Sequence, residues 1–284
     1  MTKLGSPAFD IKSHILSESQ KWLDSSILDG KPVSSVVDFS KFVTSFFKRG
    51  QWIFRGESHL FPKPLTPSIY RDELEFTNKQ YPDRSIADQE INEVEICQSQ
   101  SNKGEIKDKF ISAFLPAMHP EDVNWLVLAR HFGFKTRLLD VTLNPLIALY
   151  FACETLHKGS IQEEDDAFVY AFLSGTFRPI NAHNKRQRTS SDYPPIPINY
   201  LDLYDVDKQF DEDFDELPYL YEPSIPQERL YAQAGRFLFW RSIEPVLCKR
   251  QIIPIRINAA EKEIILNELS AYGITREILY PSEN

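Results

Sequence analysis

The segment that most constrains the fold is residues 126–153, where two apolar runs enclose a short polar cluster. The first run belongs to DVNWLVLARHFG, which is apolar nearly all round and predicts a buried helix that ends at Gly133. The second run follows Asn144 and Pro145, a cap and a proline that predict the start of the helix PLIALYFACETLHKG. Between them lies the connection KTRLLDVTLNP, which is too short for a helix of its own. Two buried helices are therefore expected to flank an irregular polar connection.

Other hydrophobic patterns switch between helical and strand periodicity along the chain. Helical spacing predicts helices over 37–48, 86–97, 106–118 and 260–272. Alternation with β-branched and aromatic residues predicts strands over 51–56, 167–173 and 251–257, with a further aromatic strand after Gly235 and a closing one over 274–281. Pro254 pushes its strand toward a sheet edge or a bulge. These elements predict an α+β fold in which several helices flank a small mixed sheet in one compact domain.

The predicted domain organisation is a polar lead-in, residues 1–35, followed by one domain, residues 36–284. Inside the domain, residues 176–226 break the pattern: they begin basic, become rich in proline and turn strongly acidic from Asp202 to Glu216. A stretch of this length without periodicity predicts a lid, an insertion or a disordered loop. The acidic charges taken alone are typical of a solvated face.

Composition excludes several classes of protein. The net charge of -9 argues against a generally basic nucleic-acid binder but leaves room for a local basic patch. The three cysteines are far apart and predict buried reduced thiols rather than disulfides or a zinc site. No secretory h-region or membrane-length apolar stretch occurs, so we expect a cytoplasmic protein that does not contact the membrane. Motifs for dinucleotide-binding, P-loop, zinc-protease and hydrolase sites are absent, and no metal is expected.

Arg55 is the first candidate site residue, at the point where the strand QWIFRG turns from apolar to charged. An arginine placed there costs desolvation energy unless a carboxylate or an anionic ligand meets it. Glu57 could supply the carboxylate, so a structural ion pair and an anion site are both open. Gly56 leaves room for a ligand or another backbone to approach.

The second candidate cluster follows the first buried helix. His131 lies near the C-terminus of that helix, where the dipole favours a protonated imidazole. Thr136, Arg137, Asp140 and Thr142 follow on the connection. Arg137 and Asp140 are three residues apart and could pair, whereas Asp140 or Thr142 could instead cap the next helix. Capping leaves His131 and Arg137 unexplained, so this cluster is the strongest site signal in the chain.

A helix N-terminus at Asn144 adds a third element, because free backbone N–H groups and the helix dipole attract phosphate. Gln233 could bring an amide to the same cleft or simply cap a turn at Gly235. One carboxylate of the helix over 86–97, from Glu90, Glu93 or Glu95, could face inward as a general base. The predicted site therefore comprises catalytic His131, Asp140 and Arg55 and ligand-binding Arg55, Arg137, Thr136, Thr142, Asn144 and Gln233.

Four motifs occur in an order that resembles the FRG domain family. They are Phe54-Arg55-Gly56, Leu65-x-Pro67-Ser68 with Arg71, the block LARHFGFKTRLLDVTLNPLIALYFA, and Arg229 with Gln233-x-Gly235-x-Phe237. The resemblance covers roughly residues 37–175 and 228–280. Where the family block usually has Gln, Pro and Trp, this chain has Arg130, Lys135 and Val141. None of these departures removes a candidate site residue.

The resemblance implies a bacterial or phage-encoded effector in an anti-phage or toxin-like setting. Tyr150-Phe151-Ala152 and the strand-end Arg-Gly are also similar to motifs of ADP-ribosyltransferases. Those enzymes bind NAD and use a catalytic glutamate. That similarity implies NAD as a cofactor, with Arg55 and Arg137 on its pyrophosphate and Gln233 or Glu228 in the glutamate's place. A non-catalytic sensor and a metal-independent ribonuclease with His131 as its base stay open. A protein partner, such as an antitoxin or a phage protein, is also implied.

Overall fold

The structure is a computed structural model of the full chain. It describes residues 32–46, 52–61, 64–71, 86–101, 125–154, 165–181, 218–223, 228–240, 247 and 252–281. The lead-in before residue 32, the predicted helix over 106–118, Cys248 and the acidic segment 202–216 lie outside the described residues, so the predictions about them stay predictions.

A single mixed sheet is the frame of the described part. Its strands are β1 (Trp52–Glu57), β2 (Leu138–Thr142), β3 (Ala167–Leu173), β4 (Arg178–Asn181), β5 (Tyr219–Glu222), β6 (Gly235–Phe239) and β7 (Ile252–Ile257). Their order is β4-β5-β6-β2-β1-β3-β7. Only the β4–β5 pair is parallel among these strands. The predicted α+β class with a mixed sheet is confirmed, and β7 with its proline lies at the edge.

The helices described are α1 (Val36–Phe46), α2 (Ile86–Ser101), α3 (Trp125–His131), α4 (Pro145–Cys153), α5 (Glu228–Ala232), α6 (Lys262–Ala271) and α7 (Arg276–Leu279). Helix α4 starts as predicted, because Oδ1 of Asn144 accepts a hydrogen bond from the Leu146 N–H at 2.9 Å. The predicted closing strand is wrong, since α7 occupies that segment. A short alternating pattern also fits one helical turn, and this turn buries Leu279 together with Tyr280.

Helices cover one face of the sheet in two groups. Against β1 and β3 lie α1, α4 and α6, with Phe39, Phe54 and Val169 among the buried contacts. Against β2 and β6 lie α2 and α3, with Leu138 and Phe237 in a second buried cluster. The opposite face carries the chain around Leu65–Tyr70 and the ring of Trp240.

Gly56 brings α4 into backbone contact with β1. A Cβ atom at this position would lie 2.0 Å from the Ala148 carbonyl oxygen and 2.5 Å from the Ala152 nitrogen. The close approach expected at this glycine is therefore that of another backbone. It fixes α4, and the residues that follow it, beside the end of β1.

Two differences from the sequence prediction concern strands. The connection between α3 and α4 is not irregular, because its centre forms β2, with Leu138 and Leu139 both buried. A central strand covered on both faces need not alternate, which conceals it in the sequence. The segment 176–226 likewise contains β4 and β5 at its two ends. In the part of the chain that the structure describes, no helix is long and apolar enough to span a bilayer.

Candidate functional site

A cleft of about 360 Å³ opens where the two central strands stop pairing. Strands β1 and β2 meet with Phe54 opposite Thr142. The cleft begins beyond that pair, beside Arg55 and Asp140. Its walls come from β1, β2, β6, α3, the end of α4, α5 and the chain that follows α4 and α7, so residues distant in sequence share one space.

Arg55, Arg130 and Asp140 form a linked group in this cleft. Arg130 donates from Nε and Nη2 to Oδ2 of Asp140 at 2.9 and 2.6 Å. Arg55 donates from Nη1 to the Asp140 carbonyl oxygen at 2.8 Å, and its Nε donates to Oε1 of Glu57 at 2.9 Å. The structural ion pair between Arg55 and Glu57, one of the two alternatives that the sequence left open, is therefore present. Asp140 pairs with Arg130, so the suggested pair of Arg137 with Asp140 is wrong.

Asp140 is held as a carboxylate. Burial alone would raise its pKa, but the nearby charges of Arg130 and Arg55 outweigh burial and lower the pKa to about 2. The side chain keeps 43% of its surface accessible, and since Asp140 lines the cleft, this exposure is to the cleft rather than to an open face. At neutral pH Asp140 therefore orients arginines and does not supply a proton.

Arg71 adds a third guanidinium to the neighbourhood. Its Nε donates to the Thr66 carbonyl oxygen at 2.7 Å, and its guanidinium carbon lies 5.1 Å from the centre of the Phe61 ring. Burial lowers the pKa of Arg71 to about 10, and the positive charges of Arg55 and Arg130 act in the same direction. The positive charges of Arg55 and Arg130 therefore act on Arg71, although Arg71 is not among the residues that line the cleft.

Arg137 lies elsewhere than predicted. Its Nε donates to Oε2 of Glu90 at 2.9 Å, and its main-chain N–H donates to the other oxygen at 2.6 Å. Its guanidinium lies 4.6 Å from the Phe239 ring centre, and only 2% of the residue is exposed. Arg137 is not among the residues that line the cleft. The predicted inward carboxylate exists in Glu90, but it closes a structural ion pair.

The remaining predicted ligand-binding residues divide into two groups. Thr136 is buried and Asn144 caps α4, and neither lines the cleft. Thr142 and Gln233 do line it, joined by a hydrogen bond from Oγ1 of Thr142 to the Gln233 carbonyl oxygen at 2.7 Å. The Gln233 amide donates to the Leu279 carbonyl oxygen at 3.0 Å, so it ties α7 to the cleft wall.

His131 reaches the cleft from the last position of α3, directly after Arg130. The structure therefore brings together Arg55, His131, Asp140, Thr142 and Gln233 of the predicted site. It leaves Arg137, Thr136 and Asn144 outside. Because α3 ends at His131 and Gly133 follows with φ +84°, both Arg130 and His131 lie on the terminal turn beside β2.

Sequence reasoning missed the opposite wall. Glu154, which follows α4, accepts hydrogen bonds from the hydroxyl of Tyr280 at 2.6 Å and from Nη1 of Arg276 at 2.8 Å. The guanidinium of Arg229 lies 4.5 Å from the Tyr280 ring centre. Burial and the bond to Glu154 raise the pKa of the Tyr280 hydroxyl, so it stays protonated. The sequence signals were a glutamate at the end of the apolar helix and the place of Arg229 in the fourth motif, neither of which had been assigned to the site.

Within the described ranges, no group of three or more His, Cys, Asp and Glu residues could hold a metal ion. The model of the FRG domain family matches residues 50–160, which supply Arg55, Arg130, His131 and Asp140. The resemblance to that family is confirmed over these residues, while the motifs over 228–280 lie outside the match and stay predictions. No curated protein and no solved structure matches the chain. The similarity to ADP-ribosyltransferases therefore stays a prediction.

Proposed function

The chain carries an FRG domain at residues 50–160, and from that premise we propose that its cleft binds the phosphate of a small nucleotide-type ligand. The observation that carries the proposal is the pair of guanidiniums from Arg55 and Arg130, which line the cleft and are both fixed by hydrogen bonds to Asp140. The carboxylates of Glu57 and Asp140 accompany them, and the positive charge of Arg71, which lies outside the cleft lining, interacts with both arginines. These five groups carry one positive charge in excess. An anion beside this cluster would relieve the excess positive charge in a partly dehydrated space.

Hydrogen bonds fix the guanidiniums of Arg55 and Arg130 and leave one Nη group of each available to a ligand. Arg55 uses Nε and Nη1, and Arg130 uses Nε and Nη2. Among the described residues, none accepts a hydrogen bond from Nη2 of Arg55 or from Nη1 of Arg130. Guanidinium forks match phosphate oxygens in geometry. Side chains fixed in advance lose less conformational entropy when a ligand binds.

The rest of the cleft suits an organic group attached to the phosphate. Phe61, Phe151, Phe237 and Tyr280 line it, and the rings of Phe151 and Tyr280 meet edge to face at 6.3 Å. Aromatic walls favour a flat ring such as a nucleobase. The volume lies in the range of about 300–1,000 Å³ that is usual for small-molecule sites.

We extend the proposal to NAD as the ligand and to an ADP-ribosyl transferase acting as an effector in a bacterial or phage conflict. In that reaction Arg55 and Arg130 would hold the pyrophosphate. Asp140 would keep the two arginines in position, and His131 would orient the ligand or move a proton. Support for this finer reading comes from the family resemblance and from the position of His131 beside Arg130 in the cleft.

A thermal-shift titration with pyrophosphate, ADP and NAD tests the phosphate site. We expect each ligand to raise the Tm of the wild-type chain in a concentration-dependent way. Arg130→Gln and Arg55→Lys should lose most of this shift, because a fork donor to phosphate is removed. The matched control is Arg256→Gln, since Arg256 is paired with Asp166 outside the cleft. A wild-type Tm that no phosphate ligand changes contradicts the proposal.

A second measurement separates a transferase from a sensor. NAD carrying a labelled phosphate should label protein or nucleic acid in the presence of the wild-type chain and not with His131→Ala. Ligand binding without any transfer or release of nicotinamide would favour the non-catalytic sensor. Cleavage of RNA in the presence of EDTA would favour the ribonuclease.

A further inference from the structure

Ser58 places a hydroxyl beside a histidine at the end of β1. It directly follows Glu57, the last residue of that strand, and it lines the cleft together with Arg55 and Arg130. Its Oγ lies 3.3 Å from Nδ1 of His59. Among the described residues, this hydroxyl has no other hydrogen-bond partner. Ser58 therefore lies between a nitrogen that can accept its hydrogen and a space that can hold a ligand.

The main chain at Ser58 is fixed from two sides. Nζ of Lys262, on the first turn of α6, donates to the Ser58 carbonyl oxygen at 2.7 Å, and Lys262 is buried. On the other side, the carboxylate of Glu57 accepts hydrogen bonds from Nε of Arg55 and from the Leu65 N–H. A nucleophile that is held in advance loses less entropy when it meets its target atom.

His59 is suited to accept the hydrogen of that hydroxyl. Burial lowers the pKa of its imidazole below the ordinary value of about 6.5. The negative charges of Asp165 and Glu57 oppose this shift, and the positive charges of Lys262 and Arg71 add to it. The imidazole is therefore neutral at pH 7, and one of its nitrogens can act as a base.

The ring of Phe61 holds the imidazole in place, since the two ring centres lie 3.9 Å apart. Phe61 lines the cleft beside Ser58, whereas His59 is not among the lining residues. The group offered to a ligand is therefore the serine hydroxyl, with the imidazole behind it. A nucleophile within reach of a base that a third group orients is the arrangement of activated hydroxyls in enzymes. Their hydrogen bonds are often long before a ligand binds.

We propose that Ser58 is a nucleophile that attacks a phosphorus atom of the ligand in the cleft, with His59 as its general base. This inference rests on the proposed phosphate site and adds a reaction to it. A cleft of about 360 Å³ holds one small ligand, so Ser58, Arg55 and Arg130 face the same molecule. The two guanidiniums neutralise phosphate oxygens, which otherwise repel an incoming nucleophile.

The step transfers a phosphoryl group to the protein. With a nucleoside diphosphate, a bond forms between Oγ of Ser58 and the terminal phosphorus, and the bond from that phosphorus to the bridging oxygen breaks. The bridging oxygen keeps the electron pair and leaves on the nucleoside monophosphate. The serine hydrogen moves as a proton to Nδ1 of His59. The products are a phosphoserine ester and a nucleoside monophosphate.

A hydrogen bond that only shapes the turn after β1 is the competing explanation. Serine side chains often make such local contacts. In that case the Ser58 hydroxyl has the low reactivity of an ordinary alcohol. The two explanations therefore differ in how fast Ser58 reacts with an electrophilic phosphorus.

A fluorophosphonate reagent tests the nucleophile, because an activated serine attacks its phosphorus and releases fluoride. We expect mass spectrometry to find the label on Ser58 of the wild-type chain. Ser68 is the internal control and should stay unlabelled, since it is also half-buried but its hydroxyl contacts the main chain of Thr136. His59→Gln should slow the labelling about 100-fold or more, as the loss of a general base implies. An unlabelled Ser58 in the folded wild-type chain, or a rate that His59→Gln does not change, overturns the inference.

Pyrophosphate separates a failure of this inference from a failure of the phosphate site. We expect it to raise the Tm of the wild-type chain and to protect Ser58 from the label. Pyrophosphate that raises the Tm without protecting Ser58, or while Ser58 is unreactive, overturns this inference alone. Pyrophosphate that neither raises the Tm nor protects a reactive Ser58 overturns the phosphate site and this inference with it. These arms need no variant, so they hold even if His59→Gln does not fold.

Incubation with ADP and magnesium tests the transfer itself. We expect phosphate on Ser58, or release of AMP where water then removes that phosphate, and Ser58→Ala should abolish both. A wild-type chain that yields neither product contradicts the transfer step and overturns the inference.

Discussion

Arg55 donates a hydrogen bond from Nη1 to the main-chain carbonyl oxygen of Asp140 at 2.8 Å, from one central strand to its neighbour. The donor is a side chain, in a place where sheets normally use a backbone N–H. The bond spans the point where β1 and β2 separate beyond Phe54 and Thr142. It also fixes the Arg55 guanidinium next to the Arg130–Asp140 pair. This contact therefore joins two central strands of the sheet and also positions a residue of the candidate site.

Gly56→Ala should strongly destabilise the protein. The added Cβ would lie 2.0 Å from the Ala148 carbonyl oxygen, and backbone atoms of a helix cannot move aside cheaply. We expect a loss of at least about 2 kcal/mol in the free energy of unfolding, measured with urea. Gly175→Ala is the control, because a Cβ there meets nothing within 4 Å. Equal stability of the two variants would show that α4 does not rest on β1 as described.

The Glu90–Arg137 pair should be structural. Glu90→Leu leaves a buried guanidinium without its carboxylate and is expected to cost about 3–5 kcal/mol. The double variant Glu90→Leu with Arg137→Met should regain much of that loss, because no unpaired charge remains. Urea unfolding of the single and double variants measures both effects. If the double variant folds but no longer responds to phosphate ligands, Arg137 belongs to the site after all.

Asp140 predicts a pH-dependent contribution to stability. Its pKa of about 2 in the folded chain lies below the ordinary value of about 3.9. A lowered pKa means that the contribution is complete above about pH 4 and disappears as pH falls toward 2. We therefore expect the stability gap between wild type and Asp140→Asn to narrow over that interval. The gap should be modest, since the side chain is partly solvated. Unfolding curves at several pH values measure it, and a gap independent of pH would refute the ion pair.

Cys97 and Cys153 should be inert in the folded protein. Both are buried free thiols, and burial raises the pKa of each to about 12. Thiolate is the reactive form, so alkylation should be very slow until the chain unfolds. Site-resolved mass spectrometry after iodoacetamide treatment, with and without urea, distinguishes these two positions from Cys248. Rapid native labelling at either position would contradict the described burial.

Several local features could be predicted because they depend on neighbouring residues only. The cap at Asn144, the stop at Gly133 and the strand over 167–173 follow from capping, backbone freedom and alternation. The contact of Arg55 with Glu57 is also local, since alternate residues of a strand share one face. Whether Arg137 and Asp140 pair with each other could not be predicted in this way, because the conformation of the segment between them was not known from the sequence. Residues three apart meet on a helix but point to opposite sides in an extended chain.

The sequence by itself determined the start of α4, the strands β1, β3 and β7, and which polar residues fall in the segment between α3 and α4. Only the tertiary structure decided the partners: Glu90 for Arg137, Arg130 for Asp140 and Tyr280 for Glu154. The physical reason is that periodicity records which side of an element is buried, not what lies across from it. Glu154 and Tyr280 are separated by 126 residues. Their contact exists because α4 and the end of α7 pack side by side along the cleft.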